Sequence, residues 1–270
     1  MGDILIDFLL YLGQLLLLTL GTVMLCGLAA FAAERLFLKL AGSGSSVVVY
    51  ISSVIGTPIH ELGHAAMCVL FGHKITKMRL LLPPHNSTGT LGYVEHSWNR
   101  KNPWARLGNL FIGLGPIFSG LGVIILTLYL CYPNQWNAYL AFSGTLTVEN
   151  TAGELAAGVF SLLRSMPGAF ADDWIRALIG LIIILSVSQH ITLSGADIKG
   201  SLSALPLYLL LLLLFAIITA LCGVQGTIIG ALSLANLHML SIFCITIAFS
   251  AVWIAIALLI YLIRKMIKWF

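Results

Sequence analysis

Residues 54–71 read Val-Ile-Gly-Thr-Pro-Ile-His-Glu-Leu-Gly-His-Ala-Ala-Met-Cys-Val-Leu-Phe. On a helix, His60 and His64 share one face a turn apart and can hold a single metal ion between them. Glu61 follows the first histidine, where it need not ligate and can accept a proton from a metal-activated water. Gly63 and Ala65 keep the helix slim around these groups. In a soluble helix, His-Glu-x-x-His is often only a solvated face. Here Ile55, Ile59, Leu62, Ala66, Met67, Val69 and Leu70 surround it. Ionisable groups in an apolar spanning helix are expensive unless a metal or one another compensates them. The stretch therefore predicts a membrane-embedded helix that carries a metal motif.

The rest of the chain agrees with a membrane setting. Of its 270 residues, 59% are hydrophobic and 9% charged, and the mean hydropathy is +1.01. A soluble domain averages about 45–50% apolar and about 25% charged residues, so no soluble core of this length could hide so much apolar surface. The net charge of +4 does not point to nucleic acid. Its Lys and Arg residues sit between apolar runs, where they anchor helices against anionic lipid. Cys26, Cys68, Cys131, Cys222 and Cys244 are scattered without Cys-x-x-Cys spacing. They read as small membrane-core residues, not as a disulfide framework or a Cys-based metal site. The first apolar run lacks a basic leader and is read as a retained helix.

Apolar runs long enough for a hydrocarbon layer about 30 Å thick predict six crossings. They fall near Ile4–Ala33, Val47–Phe71, Ala105–Cys131, Trp174–Leu193, Leu202–Cys222 and Leu237–Ile263. A Gly/Ser stretch, Gly42 to Ser46, permits a turn after the first. Between the second and third, β-prone Met78–Leu82 and Leu91–Val94 flank Pro83-Pro84, Asn86 and Gly89, which predicts a small β-hairpin. Tyr132–Asp173 is too polar for a confident crossing and reads as re-entrant or interfacial. The expected fold is an all-α polytopic membrane protein forming a single domain over 1–270. Its core would cover about 47–200, with accessory helices at 1–40 and 202–270.

Arg264, Lys265 and Lys268 place the C-terminus in the cytoplasm. Counting back through six crossings puts Lys199 and the basic Lys74–Arg106 connection on the same side, whereas Arg35 and Lys39 fall outside and disagree. In this scheme His60, His64 and Asp197 share a depth near the cytoplasmic face.

The chain resembles the site-2 protease family of intramembrane zinc proteases. His60-Glu61-Leu62-Gly63-His64 matches the family's first motif. Gly113-Leu114-Gly115-Pro116-Ile117-Phe118-Ser119 looks like its second, with Ser119 where the family usually has Asn. The hairpin matches a β element usual between the two. The resemblance covers roughly residues 47–200. It implies one Zn²⁺ per chain, Glu61 as catalytic base, and an Asp completing the metal site. Asp197, in Ser194-Gly-Ala-Asp197, stands nearest to that Asp. The same four residues form a capping-box pattern, and His190 is the rival ligand. His96 could approach from the hairpin. His73 and His85 read as interfacial, His238 as opening the sixth helix, and Asn150 as a possible partner for a substrate carbonyl. Proline at 116 is expected to kink its helix, and Gly113 and Gly115 to permit close helix approach.

The implied activity is hydrolysis of peptide bonds in a membrane-anchored protein. Partners are the lipid bilayer, that substrate and, because the chain has no room for a PDZ-like domain, a possible separate adaptor. A bacterial cytoplasmic membrane is the expected location. A membrane metal carrier and a non-proteolytic metal-binding homologue remain as alternatives.

Overall fold

A computed structural model describes residues 2–42, 45–83 and 90–267. Pro84, His85, Asn86, Gly89 and Lys268 lie outside the described residues, and with them the tip of the hairpin, the interfacial reading of His85 and part of the basic tail. The described chain is helical apart from one two-stranded sheet. Helix α1 (Gly2–Leu16) continues through a π-helical turn at Leu17–Gly21 into α2 (Thr22–Ala41). The motif helix is α3 (Ser45–Leu70). Strands β1 (Lys74–Arg79) and β2 (Tyr93–Ser97) follow, then α4 (Pro103–Cys131). Three short helices come next: α5 (Pro133–Ser143), α6 (Ala152–Ser165) and α7 (Ala169–Asp172). The chain ends with α8 (Trp174–His190), α9 (Gly195–Leu221) and α10 (Gln225–Ile267).

Among the described residues, four helical stretches are long and apolar enough to cross a membrane: Ile4–Ala41, Pro103–Cys131, Gly195–Leu221 and Gln225–Met266. Six were expected. Helix α8 is apolar but only 17 residues long, and in α3 the motif's own His60, Glu61 and His64 lower the hydropathy. Other boundaries also move. The first helix runs past Ala33 to Ala41, so Glu34 and Arg35 lie inside it. Helix α10 begins at Gln225, which puts His238 within a helix instead of opening one. The segment 132–173 is built of short helices. Thr151 and Glu154 form a capping box at the start of α6, and these bonds hold the exposed Glu154 carboxyl below its usual range. The strands pair antiparallel, Lys74 opposite Ser97 and Arg79 opposite Tyr93. They sit farther from the turn than expected, although Leu82 still donates its N–H to the Leu91 carbonyl at 2.7 Å.

The main core threads α2, α4, α8 and α10, with Leu114, Ile117, Ile124, Leu128, Ile184, Val187 and Ile245 fully or nearly fully buried. Large apolar side chains remain exposed along α9, among them Leu209, Leu210, Leu214 and Ile218. A surface of that kind suits lipid contact, not water. Helix α3 packs chiefly on α4 and α8, and α4 packs on α9. Those four helices position the site. On the far side α10 pairs with α2, where Arg264 donates to the Ala41 carbonyl at 2.9 Å. All five cysteines are free thiols.

Candidate metal centre

His60, Glu61 and His64 occupy the C-terminal half of α3, and Asp197 the first turn of α9. Their close approach depends on glycines in α4. A Cβ on Gly115 would meet the Gly63 carbonyl oxygen at 2.6 Å, and one on Gly63 would meet that of Gly115 at 2.6 Å. Helices α3 and α4 therefore cross backbone on backbone, in the small-residue manner of membrane helices. Two residues earlier, Gly113 faces the other way, and any Cβ there would strike Ser201 Oγ and the Asp197 carbonyl. One glycine admits α3 and the other admits the start of α9, which brings the histidines and Asp197 to the same place.

The Nε2 atoms of His60 and His64 are 3.2 Å apart. His64 Nε2 lies 3.2 Å from Asp197 Oδ1, and His60 Nε2 lies 3.9 Å from Asp197 Oδ2. The opposite ring nitrogens are held by backbone carbonyls. His60 Nδ1 donates to the His190 oxygen at 2.8 Å, and His64 Nδ1 donates to the Ile112 oxygen at 2.7 Å. Carbonyls only accept, so these bonds place the proton of each neutral ring on Nδ1 and leave a lone pair on each Nε2. Two lone pairs and a carboxylate, all acceptors, thus converge within 4.8 Å. Such a cluster suits a cation between its members, and the ring-to-carbonyl bonds match the outer partners of metal-ligating histidines. The residues fit a metal.

Both carbonyls are available for a stated reason. His190 is the last residue of α8, where carbonyls lack a helical donor. Ile112 lies four residues before Pro116, inside α4. Proline has no N–H, so the Ile112 carbonyl is released from the helix and accepts from His64 instead. The Gly-x-Gly-Pro sequence accordingly serves both the helix approach and the orientation of one imidazole.

Asp197 forms the capping box and also lies beside both histidines. Its Oδ2 accepts from the Ser194 N–H at 2.7 Å, and Ser194 Oγ accepts from the Asp197 N–H at 3.2 Å. The capping box fixes the carboxylate and leaves Oδ1 turned to His64. The rival ligand does not join. The side chain of His190 instead meets Ser52 Oγ at 3.0 Å through Nε2, and its contribution is its carbonyl. Ser119 donates to the Ile59 carbonyl at 2.9 Å, which ties α4 to α3 beside His60. Asn150 bonds Thr147 and Glu154 at the start of α6 and lies outside the cavity lining. His73 is buried, with Nε2 donating to the Ala105 carbonyl at 2.7 Å, which corrects its interfacial reading.

The site opens into a cavity of about 590 Å³ whose lining includes Thr57, His60, Glu61, His64 and Asp197. Leu91, Gly92, Tyr93, Val94 and His96 of the hairpin form another wall. Burial, with the nearby His73 and His64 rings, holds His96 below the usual histidine range. A larger cavity of about 760 Å³ between α1 and the α9–α10 region shares none of these residues and is mainly apolar. Sequence reading missed Glu34, Asn109 and Thr192, which also line the metal cavity. Glu34 hydrogen-bonds Thr192. The signal was available, since a carboxylate inside an apolar run marks function as well as His60 does. Thr57 Oγ1 is buried in the same wall without a hydrogen-bond partner among the described residues.

Comparison with protein-family models, curated proteins and solved structures gave no match.

Proposed function

We propose that this chain is a membrane-embedded zinc metallopeptidase that hydrolyses peptide bonds of membrane-anchored proteins. The observation that carries the reading is the convergence of His60 Nε2, His64 Nε2 and the Asp197 carboxylate, with Glu61 beside them in one cavity. Two imidazoles and one carboxylate suit Zn²⁺ at a hydrolytic site. Zinc held there supplies a Lewis acid that polarises a carbonyl and brings the pKa of water toward ~7.

The chain's own groups do the rest. Glu61 accepts the proton of the attacking water and returns it to the leaving amine. His60 and His64 are kept from rotating by the His190 and Ile112 carbonyls. In this reading the Thr57 hydroxyl, in the cavity wall, hydrogen-bonds the substrate backbone. Residues 91–94 offer hairpin backbone to an unwound substrate segment, a strand-addition mode. In this reading six crossings, with α3 and α8 among them, seat the site toward the cytoplasmic face of a bacterial inner membrane.

The test uses the full chain in proteoliposomes with a panel of single-span peptides. Chelator-sensitive cleavage restored by Zn²⁺ is expected, with Glu61→Gln lowering the rate by about 10²–10⁴-fold. Undiminished cleavage by Glu61→Gln would sink the proposal. Zinc uptake into the vesicles that survives Glu61→Gln would favour a carrier instead.

A further inference from the structure

We propose that Cys68, His73 and His96 form a second Zn²⁺ site, separate from the first, that clamps the hairpin to the end of the motif helix. The three residues offer Sγ and ring nitrogens that all lie within 4.8 Å of one another.

The local chain explains the placement. Helix α3 ends in a Schellman turn, with Gly72 in the left-handed region at φ 70 and the His73 N–H donating to the Cys68 carbonyl at 2.8 Å. That six-residue closure folds His73 back beneath Cys68. The antiparallel register then brings β2 alongside, and the ring of His96 sits 4.9 Å from that of His73. Cys68 is fully buried, and His73 is 6% exposed.

The hydrogen bonding carries the signature seen at the first site. His73 Nε2 donates to the Ala105 carbonyl at 2.7 Å, so its neutral ring has a lone pair on Nδ1. That atom faces His96 Nδ1 at 2.9 Å. Trp98 stacks on the His73 ring with centroids 5.7 Å apart, which further fixes its plane. An oriented imidazole aimed at a second imidazole and a buried thiol is a nitrogen–sulfur donor set that zinc favours over calcium or magnesium. On ligation Cys68 gives up its thiol proton to solvent. Three protein ligands leave one position for a small ligand. Because His96 also lines the first cavity, the clamp would fix the hairpin wall beside Glu61.

The assignment does not depend on peptidase activity, and cobalt distinguishes the two sites because only this one contains sulfur. Purified full-length protein loaded with Co²⁺ is expected to hold two ions per chain and to show thiolate-to-cobalt charge-transfer absorption. Cys68→Ala should hold one ion and lose that absorption. His96→Ala, changed at a partly exposed position on β2, should weaken cobalt binding at this site at least tenfold. Asp197→Ala should lose the other ion and keep the absorption. A parent protein without charge-transfer absorption, or one whose absorption survives Cys68→Ala, overturns the proposal. So does a His96→Ala protein with unchanged cobalt affinity and absorption, the result expected of a mere hydrogen-bonded histidine pair.

Discussion

At the scale of single residues, the site turns on which backbone carbonyls the helices release. Pro116 withholds an N–H from Ile112, and the released oxygen takes the Nδ1 proton of His64 at 2.7 Å. Pro116→Ala would supply a competing helical donor. It is expected to lower zinc affinity about 10–100-fold, the usual effect of losing an outer-shell partner, while leaving thermal stability equal or higher. Competition with a chelator measures the first and thermal unfolding in detergent the second; unchanged zinc affinity would remove Pro116 from this role. His60, Glu61 and His64 were legible in the sequence because their spacing is local to one helix. Asp197 was legible as a ligand candidate and as a cap; the capping box is formed, and it turns the carboxylate toward His64. The carbonyls of Ile112 and His190 were not legible as partners, because every residue has a carbonyl and only tertiary packing selects one. Glu34 is readable in principle, but it falls just past the predicted Ile4–Ala33 crossing.

At the scale of elements, the site exists because α3, α4 and α9 approach closer than side chains normally allow. Gly63→Ala would press a methyl group into Ser119 Oγ and the Gly115 backbone. Overpacking of that kind costs about 1–3 kcal/mol and would part the two helices at the histidines. Gly122→Ala, on the partner helix α4 but with open space around its Cβ, provides the control and should be neutral or mildly stabilising. Unfolding of both variants in detergent tests the difference; equal stabilities would show that the crossing is not tightly packed. Periodicity and apolar length found the helices and the hairpin. They missed how far α10 extends toward its N-terminus, because Gly226, Gly230, Ser233 and Asn236 weaken the helical signal over residues 225–236. The Cys68, His73 and His96 cluster escaped as well. Its members lie in a helix, a turn and a strand, and only the Schellman turn and the strand register join them.

At the scale of the whole molecule, helix length governs how the chain can cross a bilayer. Helix α8, with 17 residues, is about 26 Å long at 1.5 Å per residue, slightly short of the ~30 Å layer, and spans only with local thinning. If α3 and α8 both cross, the two termini lie on one side together with Lys101. Cysteine labelling from either face of sealed vesicles should then find positions 2, 101 and 267 accessible from the cytoplasmic side alone. Labelling of 101 and 267 from opposite faces would rule out the six-crossing arrangement. Composition agrees with a membrane setting but does not fix the number of spans, since the charges of the candidate site also lower the hydropathy of the helix that carries it. The central assignment concerns three ligands and a base, and zinc per chain in the purified protein tests it most directly. Glu61→Gln should retain as much zinc as the parent, and Asp197→Ala should hold one ion fewer; an Asp197→Ala protein with undiminished zinc contradicts the assignment.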